Sequence, residues 1–275
     1  MTFVEPIPSL FFFVIGLILG SFFNVLIYRL PRGESIVFPG SHCPNCHRPL
    51  RPWENIPIVS FIALRGRCSH CKVFISPVYP LVELLTGCAS CALWRISIIP
   101  EMSAMTTSWQ IPVVALHALT LLIMIPIFVI DWKHYIIPDV LTIPGLVLSF
   151  AFSFFPGGMA PLDCVLGIAA GSGPLLAAVF LGKYILKKEA MGGGDVLLMA
   201  MAGALWGWKI ALTGIVIASF LGSIAGGILL LIGRMRKDRK IPFGPFLAAG
   251  LWISVLTINK LFAWYFHFLD RSISG

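Results

Sequence analysis

Long apolar runs separated by short polar segments dominate the pattern along this chain. A run of about 20 apolar residues is long enough to cross a bilayer as a helix. The first run covers 8–30, and a polar segment at 31–79 follows it. The later apolar stretches are 80–99, 111–130, 139–156, 162–182, 195–208, 210–233 and 242–267. The pattern predicts an all-α polytopic membrane protein with about eight transmembrane helices.

The same pattern predicts three regions. Residues 1–30 form a first transmembrane helix, 31–79 a small polar domain, and 80–275 the main helical bundle. The first ten residues contain no Lys or Arg, and the apolar run after them is too long for a cleaved signal. We therefore expect this helix to be retained. Only Trp206, Trp208 and Lys209 interrupt the apolar run between the sixth and seventh helices.

Composition and charge support a membrane protein. The chain is 58% hydrophobic and 12% charged, whereas soluble domains carry about 25% charged residues. Its net charge of +8 indicates basic cytoplasmic loops. The aromatic residues lie in apolar runs and are not interleaved with basic residues, which excludes a nucleic-acid role. An external N-terminus places 16 of the 20 Lys and Arg residues in four cytoplasmic segments, 29–79, 131–138, 183–194 and 234–240.

Four cysteines in the polar segment form two C-x2-C pairs separated by 21 residues: Cys43, Cys46, Cys68 and Cys71. Two such pairs supply four thiolates to one tetrahedral zinc ion. A domain of this size has little core and needs such a crosslink. The spacing therefore predicts a structural zinc domain on the cytoplasmic side. The alternatives are free thiols, an empty site, or substitution of one ligand by a neighbouring histidine.

Two acids border long apolar runs, where an ionisable side chain is costly and is a functional candidate. Asp131 follows 20 residues without an acid, Lys or Arg, and Asp195 follows the glycines 192–194. In the predicted topology both lie at cytoplasmic helix ends. Two adjoining carboxyls sharing one proton can activate water for peptide hydrolysis. Glycines beside the acid would let a substrate backbone approach.

Simpler roles remain open for these acids. Asp195 could be a helix N-cap, Asp131 a charge reaching interfacial water, or both could belong to the proton path of a transporter. Asp139 follows Pro138, and we expect it to cap a helix that begins at Val140. Glu83 either pairs with a basic residue of the polar segment or belongs to a polar site.

At these residues the chain resembles the bifunctional type IV prepilin peptidases over nearly its whole length. Six groups of residues carry the resemblance: Gly20–Val25 with Tyr28–Pro31 in the first helix, the tetracysteine loop, Asn55–Pro57 with Ile75–Ser76, Tyr79–Pro80 and Glu83, Ile130–Asp131 with Ile137–Asp139, the G-x-G-D motif Gly192–Asp195, and Pro242–Phe246. The chain departs from the family at Leu197, where a Lys is common. That departure leaves both acids in place.

The resemblance implies an aspartic peptidase of the bacterial inner membrane whose catalytic pair is Asp131 and Asp195. Such enzymes remove the leader from type IV prepilins or type II secretion pseudopilins at the cytoplasmic face. They then methylate the new N-terminus, with S-adenosylmethionine as methyl donor. We expect Gly192, Gly193 and Gly194 to contact the substrate. For the donor we expect Asn24, Arg29 and Glu83, which are polar residues at membrane depth.

Two alternatives to this function remain. One is a G-x-G-D protease without methyltransferase activity, and the other is a non-enzymatic membrane transporter with a zinc-bound loop. Loss of peptide cleavage on substitution of either acid would separate the peptidases from the transporter.

Overall fold

A computed structural model describes residues 6–95, 110–155, 158–185, 187, 191–232 and 241–257. Within those ranges about 75% of the residues are helical, most of the remainder lie between positions 31 and 77, and the only β-type pairing is two isolated bridges. The all-α prediction is confirmed. The helices are α1 (Pro6–Arg29), α2 (Val59–Ala63), α3 (Val78–Leu93), α4 (Gln110–His134), α5 (Asp139–Phe152), α6 (Pro161–Tyr184), α7 (Gly193–Leu231) and α8 (Gly244–Thr257).

Helix length and composition agree with membrane insertion. Helices α1, α4, α6 and α7 are long and apolar enough to cross a bilayer, and α3, α5 and α8 are shorter apolar helices. The 39 residues of α7 would span about 58 Å as one straight helix, roughly twice the thickness of a bilayer core. Its backbone is non-helical at Gly207, where φ is 79°. Gly207 therefore divides α7 into the predicted sixth and seventh helices.

The chain divides into two compact units, Met1–Thr106 with Ala118–Ile130, and Thr107–His117 with Asp131–Gly275. In the first unit, α1 packs closely on α3. A Cβ atom added at Gly16 would lie 2.6 Å from the carbonyl oxygen of Thr86, and one added at Gly20 would lie 2.6 Å from Cα of Glu83. These two glycines, one turn apart, remove the side chains that would separate the helices.

The second unit is held together by similar close contacts. Gly167 of α6 faces Gly203 of α7 so closely that a Cβ atom on either would overlap the carbonyl oxygen of the other. At the break in α7, a ring nitrogen of His117 lies 3.2 Å from the carbonyl oxygen of Leu205. This contact gives a partner to a carbonyl beside the interrupted helical turn.

One predicted helix cap is wrong. Helix α5 begins at Asp139 itself, its N-cap is Pro138, and no side chain caps its first turn. Pro138 has the extended backbone angles that are usual for an N-cap residue. Asp139 therefore lies in the first turn of α5, where its negative charge interacts favourably with the helix dipole although its side chain makes no capping hydrogen bond.

Candidate functional site

Two buried aspartates lie at helix ends in the second unit. Asp131 belongs to the last turn of α4, and Asp195 to the first turn of α7. Both side chains are buried, and the charge of Asp131 acts on Asp195 electrostatically. The fold therefore brings two acids 64 positions apart into one electrostatic environment.

Two of the three simpler roles considered for these acids, helix cap and interfacial charge, do not fit. The N-cap of α7 is Gly192, so Asp195 is the third residue of the helix and not its cap. Asp131 is 5% exposed, so its carboxylate is not reaching out to interfacial water. Burial of an acid is costly unless it is paired, which makes both side chains functional candidates.

Asp131 is fixed by a residue far away in sequence. The backbone N–H of Gly244, the first residue of α8, donates a hydrogen bond of 2.9 Å to Oδ2 of Asp131. A Cβ atom at position 244 would lie 2.6 Å from that oxygen and 2.9 Å from Cδ1 of Ile137. Only glycine brings a helix N-terminus this close to the carboxylate.

The three glycines before Asp195 have different surroundings. A Cβ atom at Gly194 would lie 2.8 Å from Cβ of Ile137, so this glycine allows close packing inside the protein. Gly193 has no atom within 4 Å of such a Cβ, and it opens onto free space. Gly192 lies beside the acid, and its backbone N–H donates a hydrogen bond to the Asp195 carboxylate. Thus Gly193 has the most room for an approaching peptide.

The two cysteine pairs in the first unit form matching turns. In one turn the N–H of Cys43 donates to the carbonyl of Arg48, and in the other the N–H of Cys68 donates to Val73. An isolated bridge closes each turn. The two pairs thus present their sulfurs with the same local geometry, as expected when both serve one ion.

The four sulfur atoms fit a zinc ion. All lie within 4.8 Å of one another, and Sγ of Cys43 is 3.8 Å from Sγ of Cys71. A tetrahedron with Zn–S bonds of about 2.3 Å has edges of about 3.8 Å. The Val73 N–H and the Asn45 amide lower the pKa of the Cys71 thiol to about 6, whereas burial and the three neighbouring thiols raise the pKa of Cys46 to about 11. The protons are therefore shared unevenly among the four sulfurs, and a metal ion would displace them. This cluster contains the four predicted cysteines and no histidine.

The three polar residues expected to bind the methyl donor are all buried in the first unit. Asn24 donates to the carbonyl of Tyr79 at 3.0 Å, which ties α1 to the start of α3. Arg29 donates to two carbonyls of the polar segment, Ser35 at 2.9 Å and Gly40 at 3.1 Å. These contacts hold the cysteine-containing segment against α1.

Glu83 has a partner that the sequence did not suggest. Its Oε2 accepts a 2.7 Å hydrogen bond from the backbone N–H of Ile58, and the Ser21 and Asn24 side chains also contact the carboxylate. Pairing with a basic residue of the polar segment, one of the two expectations, is therefore wrong. Glu83 belongs to a polar cluster.

That cluster forms part of a cavity of about 380 Å³ between α1, α3 and the cysteine-containing segment. Its wall includes Asn24, Arg29, Tyr79 and Glu83, together with a second acid, Glu54. The Arg51 N–H holds the pKa of the Glu54 carboxyl below its usual range. The volume is typical of a small-molecule site, and the wall carries a few convergent polar groups. We call this space, where the methyl donor is expected, the donor cavity.

Family models match most of the chain. The bacterial peptidase A24 N-terminal domain matches residues 14–96, and the type IV leader peptidase family matches residues 118–227. No solved structure matches this chain.

Curated relatives extend the likeness over nearly the full length. The prepilin leader peptidase/N-methyltransferase of Pseudomonas aeruginosa is 36% identical over 93% of this chain and 92% of the relative. The protein of the same name from Stutzerimonas stutzeri is 35% identical over 93% and 92%. That of Myxococcus xanthus is 39% identical over 82% of this chain and 64% of the relative. The chain belongs to the type IV leader peptidase family, and it is an integral membrane protein.

Proposed function

We propose that this chain removes the leader of prepilins with the acid pair Asp131 and Asp195 and then methylates the new N-terminus. The burial of both acids at adjoining helix ends is the observation that carries the peptidase assignment. The relatives that match nearly all of the chain are named for both activities.

The acid pair supplies general acid and base catalysis. Two carboxyls that share an environment favour one proton between them, so one is ionised while the other is neutral. The ionised carboxylate takes a proton from water as this water attacks the scissile carbonyl carbon. The neutral carboxyl then protonates the departing amine when the C–N bond breaks. The Gly244 N–H holds Asp131 in place during these steps.

The glycines before Asp195 form the proposed substrate contact. Gly193 is open on the side where a side chain would stand. A peptide in extended form can therefore approach backbone to backbone. Gly192 and Gly194 keep this turn close to the acid and to Ile137, respectively. They shape the site that Gly193 opens.

The donor cavity is the proposed site for S-adenosylmethionine, which supplies the methyl group as a sulfonium cation. Two acids, Glu54 and Glu83, and one base, Arg29, stand in the wall, and this excess of acidic groups suits a cationic donor. Asn24 and Arg29 keep α1, α3 and the polar segment together around it. These residues would bind and orient the donor and exclude water from it.

We assign the four cysteines to structural zinc. Four thiolates complete a tetrahedral shell and leave no open position for a reacting water. The ion would crosslink the segment between α1 and α3. No residue of its two short 3₁₀ turns, Leu30–Arg32 and Pro52–Asn55, or of α2 is buried. The zinc would therefore support the donor cavity, which includes Cys43 and Cys68 in its wall.

The proposed location is the bacterial inner membrane, with the zinc domain and both acids on the cytoplasmic side. The distribution of 16 of 20 basic residues supports this orientation. The proposed substrates are type IV prepilins or type II pseudopilins, cut beside the lipid bilayer. Acids in the terminal turns of apolar helices suit a scissile bond presented at the membrane surface.

Separate Asp131→Asn and Asp195→Asn variants test the peptidase assignment. Each should abolish leader removal, because an amide can neither take nor give the required proton. Asp163→Asn, an exposed first-turn acid of α6, is the matched control and should cleave normally. Zinc content reports folding of the first unit, thermal unfolding in detergent reports that of the second, and product mass reports both cleavage and methyl transfer.

The outcomes separate the alternatives. Cleavage by either asparagine variant would contradict the acid pair, and absence of cleavage by the unmodified protein would favour the transporter. A cleaved product that gains no methyl group would identify a peptidase without methyltransferase activity.

A further inference from the structure

A second concavity runs along the exposed face of α1. It has a volume of about 710 Å³, and we call it the α1 groove. Its floor is a stripe of α1 side chains spaced three or four residues apart, which places them on one helix face. The members of this stripe are Val14, Ile18, Phe22, Val25 and Arg29. The loops 36–41 and 55–59 form its other walls.

The groove is apolar over most of its length and polar at one end. Val14, Ile18 and Phe22 are apolar and exposed, whereas the end near Arg29 also has Ser41 and Asn55 in its wall. The stripe from position 14 to 29 extends for about 22 Å along the helix axis. The groove therefore suits an extended or helical chain that is apolar over most of its length and polar at one end.

The polar end of the groove adjoins the donor cavity. Five residues line both spaces: Ser21, Val25, Arg29, Ser41 and Asn55. Because the same residues line both, the two spaces meet along this edge. Arg29 holds this boundary in place through its hydrogen bonds to Ser35 and Gly40.

We propose that the α1 groove receives the cleaved prepilin for methylation, with its apolar segment along Val14, Ile18 and Phe22 and its new amino group toward Arg29. This inference rests on the donor cavity binding the methyl donor. Because the leader is removed beside apolar membrane helices, the new N-terminus belongs to a chain that is itself in the membrane. The groove is open to such a chain, and its polar end leads to the methyl donor.

Methyl transfer at this boundary forms one bond and breaks one bond. The neutral terminal amine attacks the methyl carbon, forming a C–N bond. The C–S bond breaks, its electron pair stays on sulfur, and a neutral thioether is released. The amine proton passes to water.

Photocrosslinking tests the proposed occupant directly. The photoreactive residue p-benzoylphenylalanine replaces Val37, which lines the groove, or its neighbour Phe38, which is exposed but lines neither the groove nor the donor cavity. The full-length enzyme in lipid nanodiscs is illuminated with a synthetic cleaved prepilin peptide and no methyl donor. The peptide should crosslink at position 37 and not at position 38. Crosslinking at 37 to lipid alone would overturn the proposal.

Filling the groove gives an independent measurement. Ile18→Trp places an indole ring in the groove, while Leu10→Trp adds the same ring to an exposed α1 position outside it. With Ile18→Trp, methyl transfer to the cleaved peptide should fall by about tenfold or more relative to leader removal, through a higher KM. Leu10→Trp should leave this ratio unchanged, and equal ratios in both variants would contradict the groove.

Binding of radiolabelled S-adenosylmethionine separates this inference from the proposal on which it rests. If Glu83→Gln leaves donor binding unchanged, the donor cavity is wrongly assigned. If Glu83→Gln weakens donor binding but the peptide fails to crosslink at position 37, the donor cavity stands and the groove is wrong.

Discussion

At the scale of single residues, glycine controls the geometry of the acid pair. Gly244 lets the N-terminus of α8 reach Asp131, and Gly194 lets the start of α7 approach Ile137. Neither glycine has a positive φ. Glycine is therefore needed at these positions because a side chain would not fit, and not because of the backbone conformation. Substitution by alanine therefore tests contact distance alone.

Gly244→Ala should disturb Asp131 directly. The new Cβ would lie 2.6 Å from Oδ2, so the carboxylate must move or the 2.9 Å hydrogen bond must break. A shift of about 1 Å in a catalytic group can cost roughly a hundredfold in rate. We expect kcat for leader removal to fall by about that factor. Gly227→Ala, at an open position of α7, is the control. Similar kcat values in both variants would count against the role of Gly244.

The neighbouring glycines 193 and 194 should respond differently to alanine. Gly194→Ala would crowd Ile137 and displace the first turn of α7, so kcat should fall. Gly193→Ala adds a methyl group to open space, so the protein should fold normally and KM for prepilin should rise at unchanged kcat. Steady-state kinetics on a prepilin peptide distinguishes the two. A Gly193→Ala variant with unchanged KM would remove Gly193 from the proposed substrate contact.

At the scale of helices, close approach between backbones replaces bulky side-chain packing. Lipid tails are as apolar as leucine, so membrane helices associate through small residues and tight contact. Gly16 and Gly20 do this between α1 and α3, and Gly167 and Gly203 do it between α6 and α7. This arrangement also fixes the starts of α3 and α7, where Glu83 and Asp195 lie.

Gly167→Ala should therefore weaken the bundle. The added methyl group would overlap the carbonyl of Gly203, and overpacking of this kind costs about 1–3 kcal/mol. Gly173→Ala lies on the same helix with open space around it and should be neutral or slightly stabilising. Thermal unfolding in detergent compares the two variants. Equal transition temperatures would mean that α6 and α7 are less tightly packed than described.

The sequence predicted the helices better than their ends. Apolar runs such as 111–130 predict a membrane helix because the bilayer requires one. The predicted cap of α5 is wrong because Pro138 occupies the N-cap position and Asp139 is the first helical residue. The break in α7 was placed only near 206–209, since neither Trp206 nor Lys209 identifies which residue leaves the helix. The structure identifies this residue as Gly207, whose φ of 79° is non-helical.

At the scale of the whole molecule, local patterns were visible in the sequence and long-range contacts were not. The cysteine spacing predicts the cluster because each pair is a local turn. Asp131 and Asp195 were candidates because a charge beside an apolar run is unusual. The contact between Asp131 and Gly244 spans 113 positions, and Glu83 pairs with a backbone N–H, which no residue type reveals. The late motif around Gly244 was recognised, but its role was not.

The two proposed chemistries belong to different units of the chain. Both acids and Gly244 lie in the second unit, whereas the cysteine cluster, the donor cavity and the α1 groove lie in the first. Each unit has its own close helix contacts. Loss of the zinc cluster should therefore affect methyl transfer more than leader removal.

Cys43→Ser tests this division. It removes one zinc ligand, and because metal binding contributes to folding of such a segment, the wall of the donor cavity should loosen. We expect zinc content to fall, and the ratio of methyl transfer to cleavage to drop by about tenfold or more. Cys88→Ser, at an exposed cysteine of α3 outside the cluster, should leave both unchanged. Equal losses of the two activities in Cys43→Ser would mean that the acid pair also depends on the zinc cluster.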